Sequence, residues 1–462
     1  MTRSKPAVTA IGAILYLALG GVTAAAAEEI ADLVDRLAKP YVDSETIVGM
    51  TVGVIHGDDQ AVRGFGAYSK GDSRTPDEKT IYEIGSVSKV FTGLLFADAV
   101  VQGRVTLNTP VNELLPKGVA IQPRGDQPIA LWHLSTHTSG LPRLPDNLTP
   151  SDPNNPYADY NGKQLGAFLN ACRLRKRPCE GNDYSNLGAG LLGLVLAREQ
   201  NTDYASLLEQ RIAEPLGLSD TTIKLEEKQR SRLAPPHIEG GSEGHNWDFD
   251  TLAGCGAIRS TADDLLTFAK AYLEPQEGEL REAIGLSWCV HQKPIKEGDF
   301  AMGLGWHIAH DGQTRWHNGQ TGGYHAAIFV NRPLKIAAVV LTNTATMEVD
   351  VLAQDLVVAC AGQNVKPREF EKAPEVSTEV LQNYVGKYQL APGAEFTVST
   401  KGGKLLVGLT GQPTFEVYPR SETEWYYKVV EATLTFQVDG KGKCTAVELF
   451  QNGVRQTAKR IE

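Results

Sequence analysis

A serine and a lysine three residues apart form the most reactive pairing in this 462-residue chain. They lie in Gly85-Ser86-Val87-Ser88-Lys89, the only Ser-x-x-Lys in the sequence. On the first turn of a helix, residues three apart face the same way, so the Lys89 amine would meet the Ser86 hydroxyl. A serine alone is a poor nucleophile, and an adjacent, partly desolvated amine can hold its proton. A helix N-terminus also favours negative charge on the serine oxygen. Yet a tetrapeptide with two fixed positions arises about once by chance in a chain this long. An isolated serine at a helix start is ordinarily a cap. Other groups must therefore converge on the pair.

Two further clusters supply them. Tyr184-Ser185-Asn186 opens an apolar helix through Leu191, Leu192 and Leu194. A phenol near an ammonium can shuttle protons, and the Asn186 amide can accept and donate at once toward a substrate amide. His317-Asn318-Gly319 follows in strand-like sequence and leads into Gln320-Thr321-Gly322-Gly323-Tyr324. Small residues there let a substrate backbone lie along the strand edge. The backbone N–H groups of Ser86 and Gln320 would then form an oxyanion hole. His133 and His137, four apart, mimic a metal pair, but the segment lacks the glutamate of a zinc hydrolase and offers no third ligand. No metal and no cofactor is expected. His307, His310 and the run Trp425-Tyr426-Tyr427 read as packing or strand residues. Lys401-Gly402-Gly403 has a Lys-x-Gly pattern but sits in a hairpin of another domain and is set aside.

The elements that must position these groups follow from periodicity. Glu28 to Leu37 has helical spacing, and Met50 to Ile55 with Gln60 to Tyr68 reads as two strands joined at His56-Gly57-Asp58-Asp59. A helix is expected from Ser86 to Val101, on the intervals of Val90, Phe91, Leu94, Leu95 and Val101. Asn108 to Pro153 is punctuated by Pro and Gly and reads as loop and short helix. Leu187 to Glu199, Tyr204 to Ala213 and Asp263 to Tyr272 are further helices, the last behind a Ser260/Asp263 capping box. Leu304 to Ile308, Arg315 to Gly319, His325 to Val330 and Ile336 to Leu341 are strand-like. Strands at both ends with helices between predict an α/β (α+β) domain with one sheet built from its two termini and a helical middle. The charged, proline-containing stretch Lys366 to Val376 reads as a linker. Beyond it, Phe396 to Val398, Leu405 to Leu409, Phe415 to Tyr418, Leu434 to Val438 and Ala446 to Phe450 predict a small antiparallel β domain. Gly402-Gly403 and Asp439-Gly440 supply its turns.

Composition is that of an ordinary globular chain, with 42% hydrophobic and 22% charged residues. The net charge of −10 argues against a nucleic-acid partner, which wants a concentrated basic face. Arg3 and Lys5, the apolar stretch Ala10 to Val22 and the small run Ala24 to Ala27 form a secretory signal peptide ending at Ala27. The mature chain is then secreted or periplasmic, with no stable membrane insertion. The expected domains are 1–27 signal peptide, 28–365 catalytic domain, 366–376 linker and 377–462 small β domain. Six cysteines in an exported chain permit bridges, and Cys172 and Cys179 are close enough to pair if the chain turns back between them.

Taken in order, Ser-x-x-Lys, Tyr-x-Asn and the His-x-Gly triplet resemble the penicillin-recognising serine hydrolases, above all class C β-lactamases, low-molecular-mass DD-peptidases and related esterases. Leu134-Ser135-Thr136-His137-Thr138-Ser139-Gly140-Leu141-Pro142, Glu214-Pro215-Leu216-Gly217-Leu218, Ser260-Thr261-Ala262-Asp263-Asp264 and Gly303-Leu304-Gly305-Trp306 extend the resemblance over roughly residues 30 to 360. It implies a β-lactamase/transpeptidase-like fold and an acyl-enzyme on Ser86, with Lys89 as base and Tyr184 as proton relay. Asn186 would hold the substrate amide, and His317, Asn318, Gly319 and Gln320 would line the binding edge. His137 would be structural. His317 stands where class C enzymes carry lysine, which exchanges a permanent cation for a group that is neutral or charged according to its surroundings. The implied substrates are a β-lactam or a D-Ala-D-Ala-type peptide. The alternatives are an ester or a D-amino-acid amide, or no reaction at all in an envelope binding protein. Tyr384-Val385-Gly386-Lys387-Tyr388 and Asn452-Gly453 resemble small β-barrel-like modules appended to other members.

Overall fold

Apolar runs far apart in the sequence pair with each other at the centre of the first unit. The structure, a computed structural model, describes residues 29–462 apart from 276, 371–373, 375, 413, 428–431 and 452–453. The predicted signal peptide and Asn452-Gly453 lie outside the described residues, as does part of the predicted linker. The chain divides into two compact units, one through Glu369 and one from Phe370 to Glu462.

In the first unit, helix α1 (Ile30–Asp43) precedes the hairpin of β1 (Gly49–His56) and β2 (Asp59–Gly66). Helices α2 (Ser88–Val101), α3 (Asn186–Glu199) and α4 (Ala262–Leu273) fill the middle. Strands β3 (Ala301–Met302), β4 (His307–Ile308), β5 (Thr314–Gln320), β6 (His325–Asn331) and β7 (Ile336–Thr342) follow, then α5 (Glu348–Cys360). Among the described residues these strands form one antiparallel sheet in the order β2-β1-β7-β6-β5-β4-β3. Strands β6 and β7 are buried on both faces, which is why they read as unbroken apolar runs rather than alternating ones.

Register assigns the faces. Gly53, Val339, Ile328 and His317 lie in one cross-strand row. A side chain on Gly53 would run into Leu266 of α4, so His317 points to the α4 side. Its neighbour Asn318 must point to the opposite face, and it does: its Nδ2 donates to Asp350 of α5 at 2.6 Å.

The structure corrects several expectations. The predicted helix at Ser86 starts as a 3-10 turn, Gly85–Val87, before α2 proper. The cap of α4 is Thr261, whose hydroxyl accepts the Asp264 N–H at 3.1 Å; Ser260 instead pairs with Tyr82 in a short ladder. Helix Gly162–Ala171 was not expected, although Asn161 and Gln164 form a capping box that announces it. All six cysteines are free thiols, so Cys172 and Cys179 are not joined.

The second unit is a short helix, Thr378–Tyr384, followed by eight strands that close a barrel among the described residues. Its core is alternate inward side chains such as Tyr388, Phe396, Leu405, Leu434 and Phe436. Closure leaves no free sheet edge among the described strands.

Candidate active site

The reactive pair is set by the tight turn ahead of α2. In a 3-10 turn residues i and i+3 eclipse, and the Lys89 Nζ donates to the Ser86 Oγ at 2.8 Å. The same ammonium donates to the Cys255 carbonyl at 2.7 Å, and Lys89 is 2% exposed. Helix α2 is buried all round over Ser88 to Ala99, so it cannot roll to relax the pair. It is also stitched to segment 254–258: Thr92 Oγ1 donates to Gly254 O at 2.7 Å, and Ile258 N–H donates to Ser88 Oγ at 3.1 Å. The Cys255 thiol is pushed up to about 11 by burial and stays protonated beside the amine.

Strand β5 closes the other side. Gly85 has φ +49°, and a Cβ there would lie 2.7 Å from Gln320 N and 3.0 Å from Gln320 O. A Cβ on Gly319 would strike Ile84 O and Ser86 N. These two glycines let the backbones of β5 and the serine turn touch. The Thr321 N–H is bonded to Tyr324 O, so ladder alternation turns the Gln320 N–H away from β6 toward the serine. β4 pairs only with Arg315 and Trp316, which leaves 317–320 without a strand partner on that side among the described residues. The Ser86 N–H sits in a first turn, where no intrahelical carbonyl can meet it. Two donors thus flank the space in front of the hydroxyl.

Tyr184 arrives from the loop before α3, and Asn186 is the first residue of that helix. The Tyr184 ring lies 4.9 Å from Lys89 Nζ and 5.0 Å from the Arg143 guanidinium carbon. Asn186 Nδ2 donates to Tyr157 OH at 3.0 Å, while its Oδ1 is buried with no partner among the described residues. Three histidines pack around the tyrosine: His137 at 4.4 Å between ring centroids, and His307 and His317 each at 6.4 Å.

Hydrogen bonding fixes two of their tautomers. His317 Nδ1 faces the Asn318 carbonyl at 2.6 Å and must carry the proton, which leaves Nε2 a buried acceptor without a partner among the described residues. His137 Nδ1 accepts the Ser185 N–H at 3.2 Å, so its Nε2 is a buried donor without a partner among the described residues. His307 Nδ1 is also unmet. An unpaired buried polar group costs about 1–3 kcal/mol. Asn186 Oδ1 and these ring nitrogens therefore mark a surface that water or a substrate must complete.

The sequence-derived site residues thus separate into two sets. Ser86, Lys89, Tyr184, Asn186, His317, Gly319 and the Gln320 backbone are brought together. The side chains of Asn318 and Gln320 lie elsewhere, both turned to the α5 face, so these two residues can meet the cleft only through their backbone. There His325 bridges Gln320 Oε1 at 3.1 Å and Asp350 Oδ1 at 2.8 Å, and Asp350 Oδ2 receives Asn318. His307, read as a strand residue, belongs to the cluster, as do Arg143 and Tyr157. His133, the other half of the apparent metal pair, accepts the Ala130 N–H at 2.9 Å.

Burial drives the histidines neutral. His133 and His307 are each lowered to about 4, and His137 and His317 are well below the ordinary value. For the last three, positive charge on Lys89 adds to desolvation. A depressed folded-state value means that the unfolded chain binds protons first as pH falls through about 6.5. The stability these groups contribute is complete above pH about 6.5 and is lost progressively toward pH about 4. The melting temperature is therefore expected to fall by several degrees between pH 7.5 and 5.5. His133→Asn, whose Oδ1 can still accept the Ala130 N–H, should shrink that fall. An equal fall in both proteins would contradict the assignment.

A family model described as Beta-lactamase matches residues 34–363, and one described as a domain of unknown function (DUF3471) matches residues 371–460. D-alanyl-D-alanine-carboxypeptidase/endopeptidase AmpH of Escherichia coli (strain K12) is 31% identical over 248 residues, which are 53% of this chain and 63% of that protein. The chain thus spans less than two thirds of that relative. A β-lactamase of the same strain is 28% identical over 291 residues, 62% of this chain and 72% of that protein. Among solved structures, a β-lactamase/D-alanine carboxypeptidase from Yersinia pestis complexed with citrate superposes with a TM-score of 0.63 at 25% identity, covering 72% of this chain and 98% of that one. With the Beta-lactamase model matching most of its length, the chain belongs to the β-lactamase family of serine hydrolases.

Proposed function

We propose that the protein is an exported hydrolase that opens the amide bond of a β-lactam or a D-Ala-D-Ala-type peptide through an ester on Ser86. The observation that carries this reading is the 2.8 Å contact between the Lys89 amine and the Ser86 hydroxyl, under the backbone donors of Ser86 and Gln320. Lys89, when unprotonated, takes the hydroxyl proton as Ser86 Oγ attacks the substrate carbonyl. The Ser86 and Gln320 N–H groups stabilise the oxyanion, a contribution worth about 10²–10³-fold per donor. Tyr184 delivers a proton to the departing nitrogen and is resupplied from Lys89. Water then cleaves the ester by the reverse relay. Asn186 Oδ1, without a partner among the described residues, accepts a substrate N–H. Export rests on the N-terminal sequence, and the relatives named carboxypeptidase and β-lactamase support the substrate class.

One observation favours a second reading, an esterase or D-amino-acid amidase. The His317 Nε2 offers a neutral acceptor where a substrate carboxylate would want a cation.

The test uses the mature protein with labelled penicillin, a chromogenic cephalosporin and a short-chain nitrophenyl ester, following both the covalent mass shift and turnover. A stable penicillin adduct indicates the peptidase, rapid cephalosporin turnover the β-lactamase and ester-only activity the second reading. Turnover that survives Ser86→Ala would end all three.

A further inference from the structure

Beside Tyr184 opens a cavity of about 870 Å³ that the chemistry above does not use. Its walls are the loop around Gly140 to Asp146 and the segments at 171–176 and 182–184. It carries Arg143, Arg173, Arg175 and Lys176 against Asp146 and Asp183, in a protein whose formal charge is −10. Lys176 and Asp183 neutralise each other at 2.7 Å. Arg173 Nη1 is turned onto the carbonyls of Ala171 and Cys172 at 3.4 and 3.1 Å. Arg143 and Arg175 have no hydrogen bond or ion pair from their guanidinium groups among the described residues. Arg143 instead lies over the Tyr184 ring. An unpaired guanidinium at a cleft presents a planar fork that matches a carboxylate. With Asp146 set against Arg143, Arg173 and Arg175, the lining keeps an excess of positive charge whose field concave walls concentrate.

We propose that this cleft is a subsite for a carboxylate on the substrate, held by Arg143 and Arg175 while the scissile carbonyl lies at Ser86. The inference rests on the hydrolase reading and assigns that site an acidic substrate. It also relocates anion recognition. β5, with His317, brings no permanent cation to the cleft, whereas Arg143 touches the tyrosine beside the reacting atoms.

Two ester pairs test it and report which side of the scissile bond carries the acid. 4-Nitrophenyl hydrogen adipate and 4-nitrophenyl hexanoate differ by a carboxylate on the acyl side; 3-carboxyphenyl hexanoate and phenyl hexanoate differ on the leaving-group side. Arg143→Glu and Arg175→Glu are each expected to lower the charged-to-neutral ratio of kcat/KM about tenfold in one pair. Half-molar salt should erode the wild-type preference in the same pair. Arg143→Ala, the milder change, should move the ratio in the same direction. Ratios within twofold of wild type in both pairs would overturn the subsite while leaving the hydrolase intact. Calorimetric binding of adipate to Ser86→Ala protein separates the two claims. Adipate binding that Arg143→Glu abolishes, while the wild-type protein turns over none of the esters, keeps the subsite and removes the hydrolase. Absence of adipate binding together with unmoved ratios removes the subsite.

Discussion

Lys89→Met is expected to lower the rate of Ser86 acylation about 10³-fold, within the span general acid–base groups supply, with KM changed far less. Methionine keeps the length and apolar stem of the side chain but has no proton to give or receive. The loss should appear in the pre-steady-state burst with a nitrophenyl ester and in the rate of mass gain with penicillin. The variant has a structural cost too. Cys255 O, which now receives Nζ at 2.7 Å, becomes a buried acceptor without a donor, worth about 1–3 kcal/mol. Acylation must therefore be read well below the variant's own melting temperature, on protein whose circular dichroism matches wild type. If acylation stays within tenfold while Ser86→Ala is inert, the base is another group and Tyr184 is the candidate, because its ring lies 4.9 Å from the same nitrogen.

What could be read from the sequence divides along the range of the interaction. Ser86 and Lys89 are joined by one turn of chain, so spacing alone predicts their contact. Strands β6 and β7 are uniformly apolar because both faces are covered, and they announce themselves equally plainly. Where the side chains of Asn318 and Gln320 go was not legible, because the triplet was read as a unit. A strand sends alternate residues to opposite faces, and Asp350, which claims Asn318, is 32 residues downstream on a helix the periodicity did not reveal. His307, Arg143 and Tyr157 carry no local signal. They enter the site through ring packing and a single amide contact made across the fold. In the barrel, Val454–Arg460 was missed because its exposed, largely polar face shows no apolar alternation; its pairing with Cys444–Gln451 defines it as a strand.

The approach of β5 to the serine turn yields the other large effect. Gly319→Ala is expected to lower kcat at least about 100-fold, because the loss of one oxyanion donor alone is worth about 10²–10³. The added methyl meets Ile84 O and Ser86 N, both main chain, so no side chain can swing aside to make room. β5 cannot retreat freely either: it is laddered to β6 from Thr314 to Gln320, and Asn318 is tied to Asp350 on the far face. The displacement must therefore fall on the Gln320 N–H, the Ser86 N–H or both, and a shift of about 1 Å in a reacting constellation costs about 10²-fold. Overpacking should also remove about 1–3 kcal/mol of stability. Gly285→Ala is the matched control, since a Cβ there meets nothing within 4 Å in the middle of helix Arg281–Trp288. It should leave kcat unchanged and raise stability slightly. Should Gly319→Ala acylate at the wild-type rate, Gln320 would not be an oxyanion donor, and the second N–H would have to come from elsewhere along the strand edge.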